Sequence, residues 1–215
     1  MRDFFAHSEN DRNVKHSLAK HLHETAQLAE SFACHKDFSP IFRLSGLLHD
    51  LGKYQPEFQN YLENGGRRGS VPHASWGAGY AGKFKIHEVS IAIDGHHKGL
   101  PDKAAWKSDI NHFVHNDVAV FDDVAKIFLA DVGLEEASLA SYQSVPLDNG
   151  LQKEIFIRYL FSALTDSDWL STEEHFDPDK TAMRSARELP IDLMLGKLEE
   201  EFSSKSKDGE IRGEQ

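Results

Sequence analysis

The consecutive residues His49-Asp50-Leu51-Gly52-Lys53 carry side chains of the types that bind metal ions and anions. Imidazole and carboxylate are both common metal ligands, and a carboxylate can bridge two cations while the neighbouring imidazole ligates one of them. Gly52 is predicted to end the preceding helix, and Lys53 would then lie within reach of an anion held on the metals. An ordinary helix C-terminus accounts for Gly52 and Lys53 but leaves His49-Asp50 unexplained.

The elements that must position this motif are predicted to be helices, so the fold class is all-α. Apolar residues recur at helical spacing over residues 14–33, 86–94 and 151–170. Ser39-Pro40 is a typical N-cap and first residue of the helix that leads to Gly52. Strand-like alternation is hard to find, and the sequence has no internal repeat.

Position on the first helix separates its three histidines. His21 shares a face with Leu18, Leu28 and other apolar residues, so it is predicted to point inward. His16 and His23 lie on roughly the opposite face and are predicted to be surface residues. His21 is therefore the candidate ligand from this helix, although a single inward histidine is more often a satisfied core residue.

The last strong helix offers two carboxylates near its end, Asp166 and Asp168. Asp168 falls on the same stripe as Leu160, Phe161 and Leu164, whereas Asp166 projects away from it. A carboxylate on a buried face is unfavourable by several kcal/mol unless it is paired or bound to a metal. Asp168 is therefore predicted to be a ligand and Asp166 a solvated acid.

Three further histidines complete the candidate ligand set. His96-His97 follow an apolar helix and are flanked by glycines, which suits a loop folded back over a metal, and His73 precedes a helix of small residues. Helix capping by His96 or simple surface exposure stays open as an alternative. The mixed nitrogen and oxygen donors favour Mn, Fe, Co or Ni over the harder Mg.

The charge of the chain gives no simple indication of a polymer partner. The net charge is −11, but residues 65–107 contain seven Lys and Arg against three Asp and Glu. Such a local basic face on an acidic protein could follow a phosphate backbone, or it could be an ordinary solvated surface. Trp76, Tyr80 and Trp106 could stack on bases, but they are better explained as core residues.

The length of 215 residues predicts one domain over residues 1–202, followed by a polar tail or linker over 203–215. The single cysteine, Cys34, excludes an intramolecular disulfide, fits a reducing cytoplasm and is interpreted as a small buried residue. No apolar stretch approaches the ~20 residues of a membrane span, and the N-terminal residues lack the apolar run that is typical of a signal peptide. A cytoplasmic location is therefore expected, with no membrane association.

These motifs, taken in order, resemble the HD superfamily of helical-bundle hydrolases. The resemblance spans roughly residues 7 to 172 and is closest to the HD nuclease of type I CRISPR interference, which occurs alone or fused ahead of a helicase. It rests on the following segments, in chain order: His21-Leu22-His23-Glu24-Thr25-Ala26, His49-Asp50-Leu51-Gly52-Lys53, Pro56-Glu57-Phe58-Gln59, His73, Gly95-His96-His97 and Ser167-Asp168-Trp169-Leu170.

The resemblance implies a two-metal nuclease acting on single-stranded DNA in antiviral defence. One divalent ion (Mn, Fe, Co, Ni or Mg) would be held by His21, His49, Asp50 and Asp168. A second would be held by His73, His96, His97 and the bridging Asp50, with an activated water as nucleophile. Lys53 would contact a phosphate oxygen of the substrate.

The partners that the resemblance implies are a helicase and the CRISPR RNA-guided surveillance complex. The sequence has no Gly-x-x-x-x-Gly-Lys-Ser/Thr motif, so unwinding must come from another polypeptide or domain. Two alternatives stay open: an HD phosphohydrolase that acts on nucleotides or small phosphoesters, and a non-enzymatic HD scaffold.

Overall fold

The computed structural model describes residues 3–67, 69–115, 118–140, 142, 145–147, 149–184 and 190–209. These residues form a mainly helical fold, which confirms the predicted all-α class. The only strands among them are β1 (Phe5–His7) and β2 (His16–Ser17), which pair antiparallel. The α-helices in the described ranges are α1 Leu18–Ser31, α2 Ser39–Leu48, α3 Pro56–Asn64, α4 Ala74–Lys83, α5 His87–Gly95, α6 Lys103–Val114, α7 Phe121–Val132, α8 Glu136–Ala140, α9 Gly150–Phe176, α10 Pro178–Met183 and α11 Ile191–Gly209.

The chain divides into two compact units, Met1–Thr181 and Ala182–Gln215. The first unit therefore ends about twenty residues before the predicted boundary at residue 202. The predicted tail, 203–215, begins inside α11, and its residues after 209 lie outside the described ranges. In the second unit, α11 has an amphipathic pattern with Ile191, Leu195 and Leu198 exposed.

The core of the first unit is built around α1, which packs against α2 and α9. Its buried side chains are Leu18, His21, Leu22, Thr25, Ala26 and Ala29. The close approach of α2 depends on Gly46, since a Cβ added there would lie 2.5 Å from the Cα of Ala26. The inward position predicted for His21 is confirmed, because its side chain is fully buried.

The prediction that His16 is a surface residue was wrong. The helix begins at Leu18 and not at Val14, so His16 belongs to β2 and the helical phase does not apply to it. His16 is 2% exposed. The interpretation of Cys34 as buried was also wrong, because it lies in the exposed turn beyond α1.

Helix α9 carries the second predicted stripe. Leu160 and Leu164 are buried, Asp166 is exposed, and Asp168 lies on the inner side with 15% of its side chain exposed. The helix continues six residues beyond the predicted end at Leu170, to Phe176.

The three aromatic residues considered for base stacking are in the core, as the sequence favoured. Trp76, Tyr80 and Trp106 are at most 7% exposed. In the described part of the chain, no helix is both long enough and apolar enough to span a bilayer.

Candidate metal centre

The centre begins where α2 ends at Leu48. His49 and Asp50 form a buried turn, and a short 3-10 helix, Leu51–Tyr54, follows. The predicted role of Gly52 as the end of the helix was wrong, since α2 has already ended and Gly52 does not adopt a left-handed conformation. A glycine is required because His73 packs on it: an added Cβ would lie 2.4 Å from the His73 carbonyl oxygen.

The two carboxylate oxygens of Asp50 face different sets of histidines. Oδ2 lies 3.3 Å from Nε2 of His21 and 3.2 Å from Nε2 of His49. Oδ1 lies 3.2 Å from Nε2 of His73 and 3.8 Å from Nε2 of His96. One carboxylate, 1% exposed, thus stands between two groups of imidazoles in the position of a bridging ligand.

The first group is completed by Asp168 from α9. Its Oδ1 lies 3.3 Å from Nε2 of His21 and 3.6 Å from Nε2 of His49. Four potential ligand atoms, from α1, the turn after α2, and α9, therefore lie within 4.8 Å of one another. That spacing can hold one cation.

The second group surrounds Oδ1 of Asp50. His73 stands just before α4, and His96 and His97 form the turn after α5. Nε2 of His73 lies 2.8 Å from Nε2 of His97. Asp50, His73, His96 and His97 again offer atoms within 4.8 Å of one another. The structure therefore brings all seven predicted metal ligands into two adjoining groups that share Asp50.

Three of the rings are oriented by the nitrogen that faces away from the cluster. Nδ1 of His49 donates to the Gly46 carbonyl at 2.8 Å, and Nδ1 of His96 donates to the Ile93 carbonyl at 2.6 Å. Nδ1 of His21 bonds Ser171 Oγ at 3.0 Å. In the neutral ring these bonds leave the lone pair on Nε2, as in metal-binding histidines generally.

The atoms left facing inward lack hydrogen-bond partners among the described residues. They are Nε2 of His21, His49 and His96 and Oδ1 of Asp50, all buried. Buried polar atoms without partners are unfavourable and rare, and four that converge in one place require an explanation. Cations at the two groups would satisfy them, so the residues present fit divalent metal ions.

A family model for the HD domain matches residues 18–132, more than half of the chain. The chain belongs to the HD domain family. HD domains are typically metal-dependent hydrolases that bind divalent metals, and the two ligand groups are placed accordingly. A comparison with curated proteins found no match. Asp168 lies beyond the matched segment, and its place in this HD site follows from the fold alone.

The electrostatics of this HD site favour cations. Burial opposes the charge of Asp50 and Asp168, yet the imidazoles facing them, with Lys53 beside Asp50, hold the pKa of both carboxyls well below the usual range. Burial and the adjacent His97 lower the pKa of His96 to about 3, so its ring stays neutral. Burial also disfavours the charged form of His49, but the carboxylate of Asp50 raises the pKa of His49 to about 10. The ring is therefore protonated without metal, and a metal ion that binds it must displace the proton.

Lys53 lies inside the site. Its Nζ is 2.7 Å from Oδ2 of Asp50 and donates to the Ala6 carbonyl at 3.2 Å. It also lines a cavity of about 480 Å³ beside the second ligand group, together with His7, Phe58, Tyr61 and His73. A second cavity of about 390 Å³ is also lined by His73 and His97, together with Asp94, Lys98 and Asp109. The predicted contact of Lys53 with a phosphate stays a prediction.

The local basic surface expected over residues 65–107 is partly neutralised. Lys83 pairs with Asp122 at 3.1 Å. Lys98 pairs with Asp94 at 3.1 Å and contacts Asp109 closely. Arg68 lies outside the described residues. The ion pairs of Lys83 and Lys98 place acidic side chains next to two of the basic residues of this stretch.

A further histidine cluster lies next to the first ligand group and was not predicted from the sequence. His7 and His16 are brought beside His21 by the β1–β2 pairing, which helical periodicity cannot predict. Ser171, which orients His21, also went unnoticed because it lies beyond the predicted end of α9. The chain has 13 histidines, and this number was a general signal for metal ligands that did not point to a particular cluster.

Proposed function

We propose that the protein is a metal-dependent nuclease that hydrolyses phosphodiester bonds of single-stranded DNA in CRISPR antiviral defence. Family membership supports the coarser activity, a metal-dependent hydrolase. The finer assignment rests on the resemblance of the motifs to the HD nuclease of type I CRISPR interference, and the helicase and RNA-guided surveillance complex are partners proposed on the same basis.

The observation that carries the proposal is the division of Asp50 between two ligand groups. Two divalent ions bound there would activate a water and stabilise both the attacking and the leaving oxygen of a phosphodiester. A single-metal hydrolase would need only the first group, and the second group of His73, His96 and His97 would then have no use.

The roles of the protein side chains follow from their positions. Asp50 and the six other candidate ligands would hold the cations, and the backbone hydrogen bonds of His49 and His96 fix the orientation of their rings. Lys53 lines the adjoining cavity and pairs with Asp50, and in this proposal it would neutralise a phosphate oxygen of the substrate. Water adds across a P–O bond, and the leaving sugar oxygen takes up a proton.

A nucleotide phosphohydrolase is the second candidate. The cavity of about 480 Å³ beside the second ligand group is of a size that suits a nucleotide, and the basic stretch that favoured a polymer is partly paired with acids. The same two-metal chemistry would serve either substrate, so the distinction must come from assay.

The deciding experiment is cleavage of circular single-stranded DNA by the metal-stripped protein after addition of Mn²⁺, Ni²⁺ or Co²⁺. We expect nicking in wild type and in Asp166→Ala, whose carboxylate is exposed on α9, and none in Asp50→Ala. Cleavage by Asp50→Ala at the wild-type rate would refute the two-metal assignment. Hydrolysis of nucleotides with no cleavage of circular or linear DNA would establish the phosphohydrolase instead.

A further inference from the structure

Three histidines form a cluster that the proposed nuclease does not require. His7 on β1, His16 on β2 and His21 on α1 each place one ring nitrogen within 4.8 Å of the others. The His7 and His16 ring centroids are each about 5 Å from that of His21, at 5.0 and 5.1 Å. The cluster belongs to neither the first nor the second ligand group, but it shares His21 with the first.

His16 is oriented as a metal ligand. Its Nε2 donates to Glu24 Oε2 at 3.2 Å, so the lone pair is on Nδ1. Nδ1 is buried and has no hydrogen-bond partner among the described residues, and the whole residue is 2% exposed. A carboxylate that holds the far nitrogen of an imidazole is the usual support for a ligating histidine.

Neighbouring side chains hold two of the rings in place. Nε2 of His7 contacts Thr172 Oγ1 at 3.2 Å, and the ring of His175 stacks on that of His16 with centroids 4.5 Å apart. Imidazoles that are fixed by their neighbours are suited to ligate a transition metal.

We propose that His7, His16 and His21 form a third metal site, selective for a divalent ion of the zinc class, and that its occupation inhibits the nuclease. Three imidazoles with an open fourth position suit Zn²⁺. The set contains no carboxylate, which is the ligand type that hard cations prefer.

The inhibition follows from the chemistry of His21. A neutral imidazole has one lone pair and can ligate one cation at a time. A metal on His7 and His16 that recruits His21 therefore leaves the ion of the first group with three ligands, His49, Asp50 and Asp168, instead of four. The inhibitory consequence depends on the proposed nuclease activity, but the binding does not.

Binding is tested first, by equilibrium dialysis of the metal-stripped full chain against excess Zn²⁺ and elemental analysis. We expect wild type to hold three equivalents and His7→Ala to hold two. His35→Ala, which removes an exposed histidine beyond α1, should hold three. Two equivalents in wild type, an unchanged number in His7→Ala, or an equal loss in His35→Ala would overturn the site.

A second variant covers the case in which loss of a ring disturbs the fold. Glu24→Gln keeps all three imidazoles and changes the group that accepts from Nε2 of His16 and from Ser171 Oγ, the partner of His21. Loss of such a supporting carboxylate typically weakens metal binding about 10–100-fold, so the third equivalent should weaken by this factor while the ion in the second ligand group, which contains neither His16 nor His21, keeps its affinity. Equal weakening of all three, or of none, would contradict the proposal.

Inhibition is tested separately, by adding Zn²⁺ to the Mn²⁺-supported cleavage assay. Half-inhibition of His7→Ala should require about ten times more Zn²⁺ than that of wild type or His35→Ala, in line with the loss of one ligand. Equal sensitivity would overturn the inhibitory role even if dialysis shows the third site. Absence of any cleavage would count against the proposed nuclease and leave the dialysis result to decide the metal site.

Discussion

The substitution Gly52→Ala should damage the second metal group while sparing the first. A Cβ at residue 52 would lie 2.4 Å from the carbonyl oxygen and 2.7 Å from the Cα of His73. Carbon atoms in contact are normally at least about 3.5 Å apart, so the backbone of His73 must withdraw by roughly 0.8 Å. Both contacts are with backbone, and no flexible side chain can absorb the shift.

The size of the effect follows from that displacement. Metal–ligand distances vary by only about 0.2 Å, so a shift of roughly 0.8 Å takes the His73 imidazole out of bonding range unless the helix that follows also moves. Misplacement by about 1 Å near a reacting centre can lower a rate about 100-fold. Overpacking should also lower the free energy of unfolding by about 1–3 kcal/mol.

The assay combines metal counting by dialysis against Mn²⁺ with the rate of cleavage. We expect Gly52→Ala to bind one ion with wild-type affinity and the other at least about tenfold more weakly, and to cleave about 100-fold more slowly. Gly150→Ala is the matched control, because an added Cβ there has nothing within 4 Å. Wild-type affinity for both ions in Gly52→Ala would refute the packing argument.

Three other variants test the site. Asp168→Asn should weaken the binding of the metal ion in the first group at least about tenfold and lower the cleavage rate severely. Asp166→Asn, on the exposed side of α9, should have a mild effect on both. The reverse order would show that the two carboxylates were assigned to the wrong faces of α9. Lys53→Met leaves the buried Asp50 with the protonated His49 as its charge partner, which should lower the free energy of unfolding of the metal-free protein by at most about 3–5 kcal/mol. Stabilisation by added Mn²⁺ should be larger than in wild type, and equal Mn²⁺-induced shifts in melting temperature would contradict this. Burial alone would raise the pKa of Glu24, but hydrogen bonds from His16 and Ser171 lower it from 4.5 to about 2. This carboxylate therefore stabilises the fold above about pH 4.5, and the stabilisation is lost as the pH falls towards 2. The difference in unfolding free energy between wild type and Glu24→Gln, measured by denaturant titration without metal, should therefore shrink over that range, and a constant difference would argue against it.

The sequence alone indicated the types of the candidate ligands and the seven positions that the structure brings together. His49 and Asp50 are covalent neighbours, so their proximity needs no fold. The helical period of 3.6 residues then placed His21 inward on α1 and separated Asp168 from Asp166 on α9, because the apolar stripe of each helix marks the side that faces the core. These inferences hold wherever a residue lies within a regular helix.

The boundaries of the helices limited that reasoning. His16 was assigned to the wrong face because α1 begins two residues after it, and Ser171 was missed because α9 extends past Leu170. Cap and end positions depend on what packs around them, which local sequence specifies poorly.

Helical periodicity could not divide the candidate ligands into two groups: the family resemblance implied the division, and the tertiary structure produces its geometry. Asp50 directs one oxygen to His21 and His49 and the other to His73 and His96, and this partition depends on the packing of α1, α4, α5 and α9 around one turn. The close approach of His73 that explains Gly52, and the β1–β2 pairing that brings His7 to His21, join residues distant in sequence. Helical periodicity indicates which way a side chain points. Contacts between helices depend on the packing of the whole core, so the local sequence around each residue does not specify them.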